Sequence, residues 1–408
     1  MYNWTVIFLV KCDDESAQVA SAKAMFEEIL ACKISTDVAV IFCLRMPVSL
    51  IRSLDAAYSP APGTDPDGLT TVFYKTIPLS STVGGRNSQL VQLGIDEPQF
   101  DITDKVDIQR YFRDKVLGAG YAGKKHLLFT WGHGAAAGIY FTRSFPPPGE
   151  KIPILTMEDL KTAITGAFGN NDDQKINVMI MMNCFMQYFD ALFALRAARV
   201  DYLMTSQFGL DFVGYNYTAI FTILYASSAT LQSRDLANLT ITSLKTAAQR
   251  SKLATGAFFA SDLSVCDQLA PAISLLGEQL SYELTQRPDK IVSIIKGRKY
   301  IHTDYDLVDI FLVARALKRK LRNSLAIPTI DKILDLRDQL LTARYFGLIL
   351  LTLRPRFTRG ASICLPLDKN GHFFLTFVDP GSTRASLFSR SYDSKWSNFV
   401  VSYSQRLP

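Results

Sequence analysis

A histidine and a cysteine each follow an apolar stretch of this sequence. His133 lies between two glycines at the end of HLLFTWGHG, residues 126–134, and Cys184 follows 51 residues later in KINVMIMMNCF. A thiol near neutral pH is partly ionised and becomes a strong nucleophile when an imidazole takes its proton. The same imidazole can later protonate a leaving amine. If the two side chains meet, the chemistry they could carry out is acyl transfer to water, as in peptide-bond hydrolysis.

The backbone beside this pair could take part in the same reaction. The N–H groups of Gly134 and Cys184 could bind the oxyanion of a tetrahedral intermediate, and a glycine has no Cβ to obstruct the substrate carbonyl. Taken singly, a histidine after a strand is more often structural, and a cysteine after an apolar run is usually a small buried hydrophobe. The matching positions of the two, each at a strand end, favour chemistry.

Alternating strands and helices in the first half of the chain must position this pair. The sequence predicts buried strands at 4–10, 37–45, 125–131, 175–185 and 200–207, antiparallel strands at 69–77 and 88–95, and helices at 15–33, 104–121, 156–168 and 189–198. Continuous apolar strands separated by helices indicate a parallel sheet that is covered on both faces. Functional groups of such sheets gather beyond the carboxyl ends of the strands. The helix at 156–168 could place the strands of His133 and Cys184 side by side.

The second half of the chain is predicted to be mainly helical. Amphipathic patterns recur from residue 217 to residue 346, and a few strands are expected near GASICLPL and HFFLTFV. The fold class predicted is therefore α/β, with a mostly parallel sheet sandwiched by helices. The domain prediction is a catalytic core at 1–225 and a mainly helical C-terminal subdomain with a few strands at 226–408.

Composition and charge argue against several other classes of protein. Of the 408 residues, 48% are hydrophobic and 20% are charged, as in ordinary globular proteins. A net charge of +6 without a concentrated basic run argues against nucleic-acid binding, and the apolar runs are too short to span a bilayer. The six cysteines are scattered without CxxC pairs, unlike a disulfide framework or a zinc site. We expect a cytoplasmic location because no signal peptide is recognisable, although a trimmed signal would be invisible.

Six blocks spread over nearly the whole chain carry a family resemblance. The histidine block is HLLFTWGHGAAAG, and the cysteine block runs from VMIMMNC through DYLMTSQ. The other four are the opening NWTVIFLVKCDDE and the later YDLVDI, GASICLP and SKWSNFVVSY. In the order in which they occur along the chain, the six blocks resemble the clostripain family of cysteine peptidases, relatives of caspases and gingipains. The spacing of about fifty residues between histidine and cysteine is also that of caspases. The resemblance implies a caspase-like fold.

The resemblance also implies a role for each residue of the site. His133 would be the general base, Cys184 the nucleophile and Gly134 an oxyanion donor. Trp131, like the other two tryptophans, is expected to pack in the core and could also form a wall of the substrate cleft, and Asn183, directly before the nucleophile, is a candidate substrate contact.

Two acidic residues of the family are missing from this sequence. Met182 stands where the family has aspartate, two residues before the nucleophile, and Gln207 replaces a glutamate after the next strand. A preference for arginine or lysine at P1, which the resemblance implies, is therefore left uncertain. Asp211, in the loop after that strand, remains a candidate partner for a basic side chain, because arginine is recognised by a carboxylate in bidentate geometry.

Activation by self-cleavage between histidine and cysteine is a further implication of the resemblance. Arg143 and Lys151 flank SFPPPGE in that segment, which is either a cleavage site or a surface insertion without consequence. No cofactor is expected to be required, although calcium could be used.

The predicted partner is a protein or peptide substrate, a regulatory protein is a further candidate, and neither nucleic acid nor a membrane is expected. Two functions stay open: an active cysteine endopeptidase, or a catalytically silent caspase-like module that binds peptides or proteins.

Overall fold

The computed structural model describes residues 1–12, 16–65, 68–136, 138–140, 153–169, 174–210, 215–246, 256–297, 306–347, 360–366, 368 and 394–407, and a nine-stranded sheet organises this part of the chain. The strands of this sheet and of two smaller sheets are β1 Tyr2–Lys11, β2 Val38–Pro47, β3 Leu69–Val83, β4 Arg86–Gln92, β5 Gly123–Trp131, β6 Gly134–Ala135, β7 Gly138–Ile139, β8 Leu155–Thr156, β9 Ile176–Met182, β10 Tyr202–Ser206, β11 Ala257–Asp262, β12 Leu307–Asp309, β13 Leu341–Phe346 and β14 Ser362–Cys364. The order in the large sheet is β13-β11-β10-β9-β5-β1-β2-β3-β4.

Helices cover this sheet and connect its strands. They are α1 Ser16–Ala31, α2 Val48–Leu54, α3 Lys105–Arg110, α4 Met157–Phe168, α5 Phe189–Ala197, α6 Tyr217–Ser227, α7 Ser233–Thr242, α8 Cys266–Gln286, α9 Pro288–Lys296, α10 Ile310–Lys320, α11 Ile327–Leu340 and α12 Ser394–Ser404. A π-helix, Tyr111–Tyr121, continues α3, and short 3-10 turns lie at Ser243–Lys245 and Leu263–Val265.

The centre of the sheet is parallel and buried on both faces. β1 pairs in parallel with β2 and β5, and β9 pairs in parallel with β5 and β10, whereas the strands toward both edges are antiparallel. Alternate residues of β1 enter two separate cores, Ile7 and Leu9 on one face and Phe8 and Val10 on the other. The predicted α/β class, with a mostly parallel sheet between helices, is confirmed.

The connection between β5 and β9 passes through α4, as the sequence predicted. The hydroxyl of Thr156 accepts a hydrogen bond from the N–H of Asp159 at 3.0 Å, which satisfies a backbone donor at the start of the helix. Leu160 and Ile164 of α4 are buried in the core on one face of the sheet. This crossover brings β9 back beside β5 in the same direction.

Two strands of the large sheet come from the second half of the chain. The helical pattern predicted to extend to residue 346 ends at Leu340, and residues Leu341–Phe346 instead pair with β11 at the edge of the sheet. Threonine and aromatic residues favour a pleated, half-buried surface, and pairing with β11 overrides the helical pattern here. The sheet thus continues past the boundary predicted at residue 225, and that division stays a prediction. HFFLTFV lies outside the described residues.

A buried histidine on β5 makes the stability of this fold sensitive to acid. Burial lowers the pKa of His126 to about 4 from 6.5, although its Nδ1 lies 3.0 Å from the carbonyl oxygen of Lys175. Between pH 6.5 and pH 4 the unfolded chain therefore takes up a proton at this residue that the folded protein does not bind, and this favours unfolding. We expect the free energy of unfolding to drop by roughly 2–3 kcal/mol from this residue between pH 7 and pH 4.5.

The substitution His126→Gln should remove this part of the pH dependence, because an amide does not take up the proton. Urea unfolding of both proteins at pH 7 and pH 4.5 measures the difference. Equal losses of unfolding free energy in the two proteins would contradict the assignment.

Candidate active site

The ends of β5 and β9 bring the two predicted reactive residues to the same edge of the sheet. Trp131 pairs with Met182 as the last residues in register, so His133 and Cys184 each lie two residues beyond a paired strand end. Both are partly buried, and the other five cysteines of the chain are buried. The structure therefore confirms that the two residues follow neighbouring strand ends. Their catalytic roles stay predictions.

Gly134 packs directly against the peptide that carries the cysteine. A Cβ added at position 134 would lie 2.6 Å from the backbone nitrogen of Cys184 and 2.7 Å from Cβ of Asn183. Because real Cβ atoms do not approach so closely, only glycine fits without a shift of the backbone. The two predicted oxyanion donors, the N–H groups of Gly134 and Cys184, thus belong to segments in direct contact.

Asn183 holds this contact from inside the protein. Its side chain is fully buried, and its Nδ2 donates to the carbonyl oxygens of Gly132 at 3.0 Å and His133 at 3.1 Å. Its Oδ1 accepts a hydrogen bond from the Thr130 hydroxyl at 2.6 Å. Since both amide protons are engaged, the predicted substrate contact of Asn183 is corrected: the residue joins the histidine segment to the cysteine segment.

Trp131 also lies in the core and not on a cleft wall. Its side chain is 1% exposed and belongs to the same apolar cluster as Phe129 and Met182. As the last residue of β5, Trp131 has its side chain in the core that also holds Phe8 and Val10 of β1. This burial confirms the expectation that Trp131 packs in the core and corrects the second one, that it lines the substrate cleft.

The sulfur of Cys184 contacts a backbone segment that the sequence analysis did not single out. The N–H of Leu210 donates to Sγ at 3.1 Å, and the carbonyl oxygen of the same residue lies 3.7 Å from Sγ. Phe185 has a left-handed backbone, with φ of 62°, and its N–H donates to the carbonyl of Phe208 at 3.2 Å. The chain after the cysteine therefore runs beside the segment after β10.

Tyr140 holds the histidine segment from the other side. Its N–H donates to the carbonyl of His133 at 2.8 Å, and its hydroxyl donates to the carbonyl of Leu9 at 2.7 Å. Lys11 Nζ in turn donates to the carbonyl of Tyr140 at 2.9 Å. This fully buried tyrosine adopts a φ of 67°, which is rare for a bulky residue and is held by these contacts. Nothing in the sequence marks it, because the contacts join distant segments.

The two positions where the family has acids are neutral and buried in this protein. Met182 is 4% exposed within the core, and Gln207 is fully buried with its Nε2 donating to Oδ2 of Asp309 at 3.0 Å. The same carboxylate oxygen accepts a hydrogen bond from the N–H of Gly360 at 2.9 Å. Gln207 thus ties β10 to the second half of the chain.

The remaining predicted site residues, Asp211, Arg143 and Lys151, lie outside the described residues. Among those that the structure does describe, His, Cys, Asp and Glu nowhere form a group of three or more that could hold a metal ion. That no cofactor is required stays a prediction. No helix of the described part has both the length and the apolar character needed to cross a bilayer.

A family model and several solved structures match this chain. The model of the clostripain family matches residues 86–338, more than half of the chain and a region that contains both His133 and Cys184. The chain belongs to the clostripain family. It is a cysteine peptidase of that family and so a hydrolase, as the six sequence blocks predicted. No curated protein matches the chain.

Solved structures of family members share the fold at low sequence identity. An inactive zymogen of a C11 protease from Parabacteroides distasonis is 14% identical, with a TM-score of 0.61 over 98% of each chain. A secreted C11 cysteine protease from Bacteroides thetaiotaomicron, "iotapain", is 12% identical, with a TM-score of 0.57 over 98% of each chain. A secreted C11 cysteine protease from that organism, in complex with an irreversible peptide inhibitor, is 12% identical, with a TM-score of 0.57 over 100% of this chain and 99% of the other. A cytoplasmic location gains no support from these neighbours and stays a prediction.

The close approach of Gly134 predicts a steric effect of alanine at this position. In Gly134→Ala the new methyl must push the ends of β5 and β9 apart, and we expect a loss of roughly 1–3 kcal/mol in the free energy of unfolding. The matched control is Gly209→Ala, whose added Cβ would meet Cζ of Phe185 at 3.6 Å, an ordinary contact. We expect the control to change stability by less than about 0.5 kcal/mol. Urea unfolding measures both effects. Equal unfolding free energies for the two variants would contradict a steric requirement for glycine at position 134.

Proposed function

We propose that this protein hydrolyses peptide bonds with Cys184 as the nucleophile and His133 as the general base. The observation that carries the proposal is the register of β5 and β9, which puts both residues two positions beyond the same paired strand ends. The contact of Gly134 with the Cys184 peptide supports it, because the two segments that would supply the oxyanion donors pack directly against each other.

The reaction divides into two acyl transfers. His133 takes the proton of Cys184, and the thiolate attacks the scissile carbonyl carbon to form a C–S bond while the carbonyl electrons move onto oxygen. The N–H groups of Gly134 and Cys184 stabilise that oxyanion. When the oxyanion collapses, the C–N bond breaks and the imidazolium gives its proton to the leaving amine. Water, deprotonated by His133, then attacks the thioester and releases the acid and the free thiol.

An irreversible electrophilic peptide provides the test of this proposal. The wild-type protein should be labelled at Cys184, and Cys184→Ala should not be labelled. His133→Ala should slow labelling by about 10²–10⁴-fold, because the thiol loses its base. The readout is the rate of labelling, with the modified residue identified by mass spectrometry.

A second function keeps one specific observation in its favour. The two positions where the family has acidic residues hold the neutral and buried Met182 and Gln207. A module that binds peptides without cleaving them would tolerate the loss of both acids. No labelling of the wild type, before or after limited proteolysis, would favour this silent module and overturn the catalytic roles proposed for Cys184 and His133.

Self-cleavage is part of the proposal as a route to activation, with Arg143 and Lys151 as the candidate positions. The zymogen among the structural neighbours supports this idea by analogy. Mass spectrometry of the labelling samples reads it directly, because cleavage after either residue should be absent in Cys184→Ala.

We also propose that any preference for arginine or lysine at P1 depends on Asp211. Neither Met182 nor Gln207 can pair with a basic side chain, whereas Asp211 follows Leu210, whose N–H contacts the nucleophilic sulfur. A carboxylate there would recognise a guanidinium in bidentate geometry.

Asp211→Asn should therefore lower the ratio of kcat/KM for P1 arginine to that for P1 leucine at least about tenfold, the size of a lost charge-assisted contact. A peptide pair that differs only at P1 measures the ratio. An unchanged ratio would remove Asp211 from the substrate site.

A further inference from the structure

We infer that Asn183 is a positioning residue that sets the placement of the His133 imidazole relative to the Cys184 sulfur. The inference rests on the proposed function, in which those two groups react together. It concerns a side chain that does not meet the substrate, because its amide is fully buried.

The first argument is the geometry of the hydrogen bonds. One amide group of Asn183 donates to two successive carbonyls, those of Gly132 and His133, at 3.0 and 3.1 Å. These two peptides carry the imidazole, while Asn183 itself is bonded covalently to the nucleophile. A rigid planar group therefore spans the two reacting segments with no flexible linker between them.

The second argument is that the amide is itself held in one orientation. Thr130, three residues before His133, donates its hydroxyl proton to the Asn183 oxygen at 2.6 Å. The two carbonyls can only accept, so the nitrogen is the atom that faces them, and the oxygen is left to accept from Thr130. Both segments and the strand that supports the histidine thus meet at one side chain.

The third argument is what would remain without the amide. The His133 carbonyl would keep its hydrogen bond from the Tyr140 N–H, and Gly134 would keep its contact with the Cys184 peptide. The Gly132 carbonyl would lose the donor that holds it. The histidine segment would then lose its two hydrogen bonds from the cysteine side and would keep only the packing of Gly134 there, which does not fix the direction of the imidazole.

The pH dependence of Cys184 alkylation by iodoacetamide tests this role in the full-length protein. The quantity measured is the rate at pH 6 divided by the rate at pH 9, followed at the Cys184 peptide by mass spectrometry. An imidazole held beside the sulfur maintains thiolate at pH 6, so this ratio reports their relative placement without any substrate. His133→Ala gives the ratio of an unassisted thiol.

Two variants and one control make the experiment specific. Asn183→Ala removes the amide, and we expect the ratio to fall at least about tenfold, toward that of His133→Ala. Thr130→Val keeps the shape of the side chain but releases the amide oxygen, and we expect a smaller fall in the same direction. The control is Asn177→Ala at the opposite end of β9, where Asn177 also joins β5 and β9 by accepting from the His126 N–H at 2.9 Å. We expect it to keep the wild-type ratio.

The outcomes separate the two proposals. Suppose that the ratio of alkylation rates is higher for the wild type than for His133→Ala, while Asn183→Ala and Thr130→Val both keep the wild-type ratio. The positioning role is then overturned and the proposed function stands. If Asn183→Ala does not fold, the ratio for Thr130→Val decides in the same way. If the wild type and His133→Ala give equal ratios, the dyad itself fails, and the positioning role fails with it. A fall in the Asn177→Ala ratio equal to that of Asn183→Ala would assign the effect to general loosening of the sheet.

Discussion

The parallel pairing of β5 with β9 is the constraint on which the rest of the site depends. Its register sets Trp131 opposite Met182, so the segments that follow the two strands leave the sheet side by side and in the same direction. Side chains alternate along a strand, and a slip of one residue would turn Asn183 away from the peptides that it now holds. Buried apolar side chains on both faces of the sheet fix that register, and the site inherits its precision from the core.

The second half of the chain supports the nucleophile from behind. Gln187, three residues after Cys184, donates through Nε2 to the Ser261 hydroxyl at 2.9 Å and to the Gly360 carbonyl at 2.7 Å. Asp309 joins Gln207 to Gly360 in the same buried region. Buried polar groups of this kind are costly unless they are paired, so the network fixes how the two halves meet. The cysteine is thus carried by a turn that both halves of the chain hold in place.

Much of the architecture could be predicted because it depends on local patterns. Apolar runs of strand length, helical periodicity and the threonine before α4 identified the central strands, the crossover and the helical layers. The exceptions arise where long-range pairing decides the outcome. Residues Leu341–Phe346 follow a helix without a break in their pattern, and they form a strand because β11 offers an unpaired edge. Trp131 could be placed in β5 from sequence, but its burial depends on the helices that cover that face.

The sequence by itself determined which groups could react: a thiol, an imidazole between glycines, and the strands that end beside them. It also determined the family, through blocks that keep their order over the whole chain. Only the tertiary structure decided what surrounds those groups. The hydrogen bonds of Asn183 and Tyr140, and the Leu210 N–H that donates to sulfur, join segments far apart in the chain. Hydrogen bonds depend on distance and angle between atoms in space, and residue order alone does not specify these.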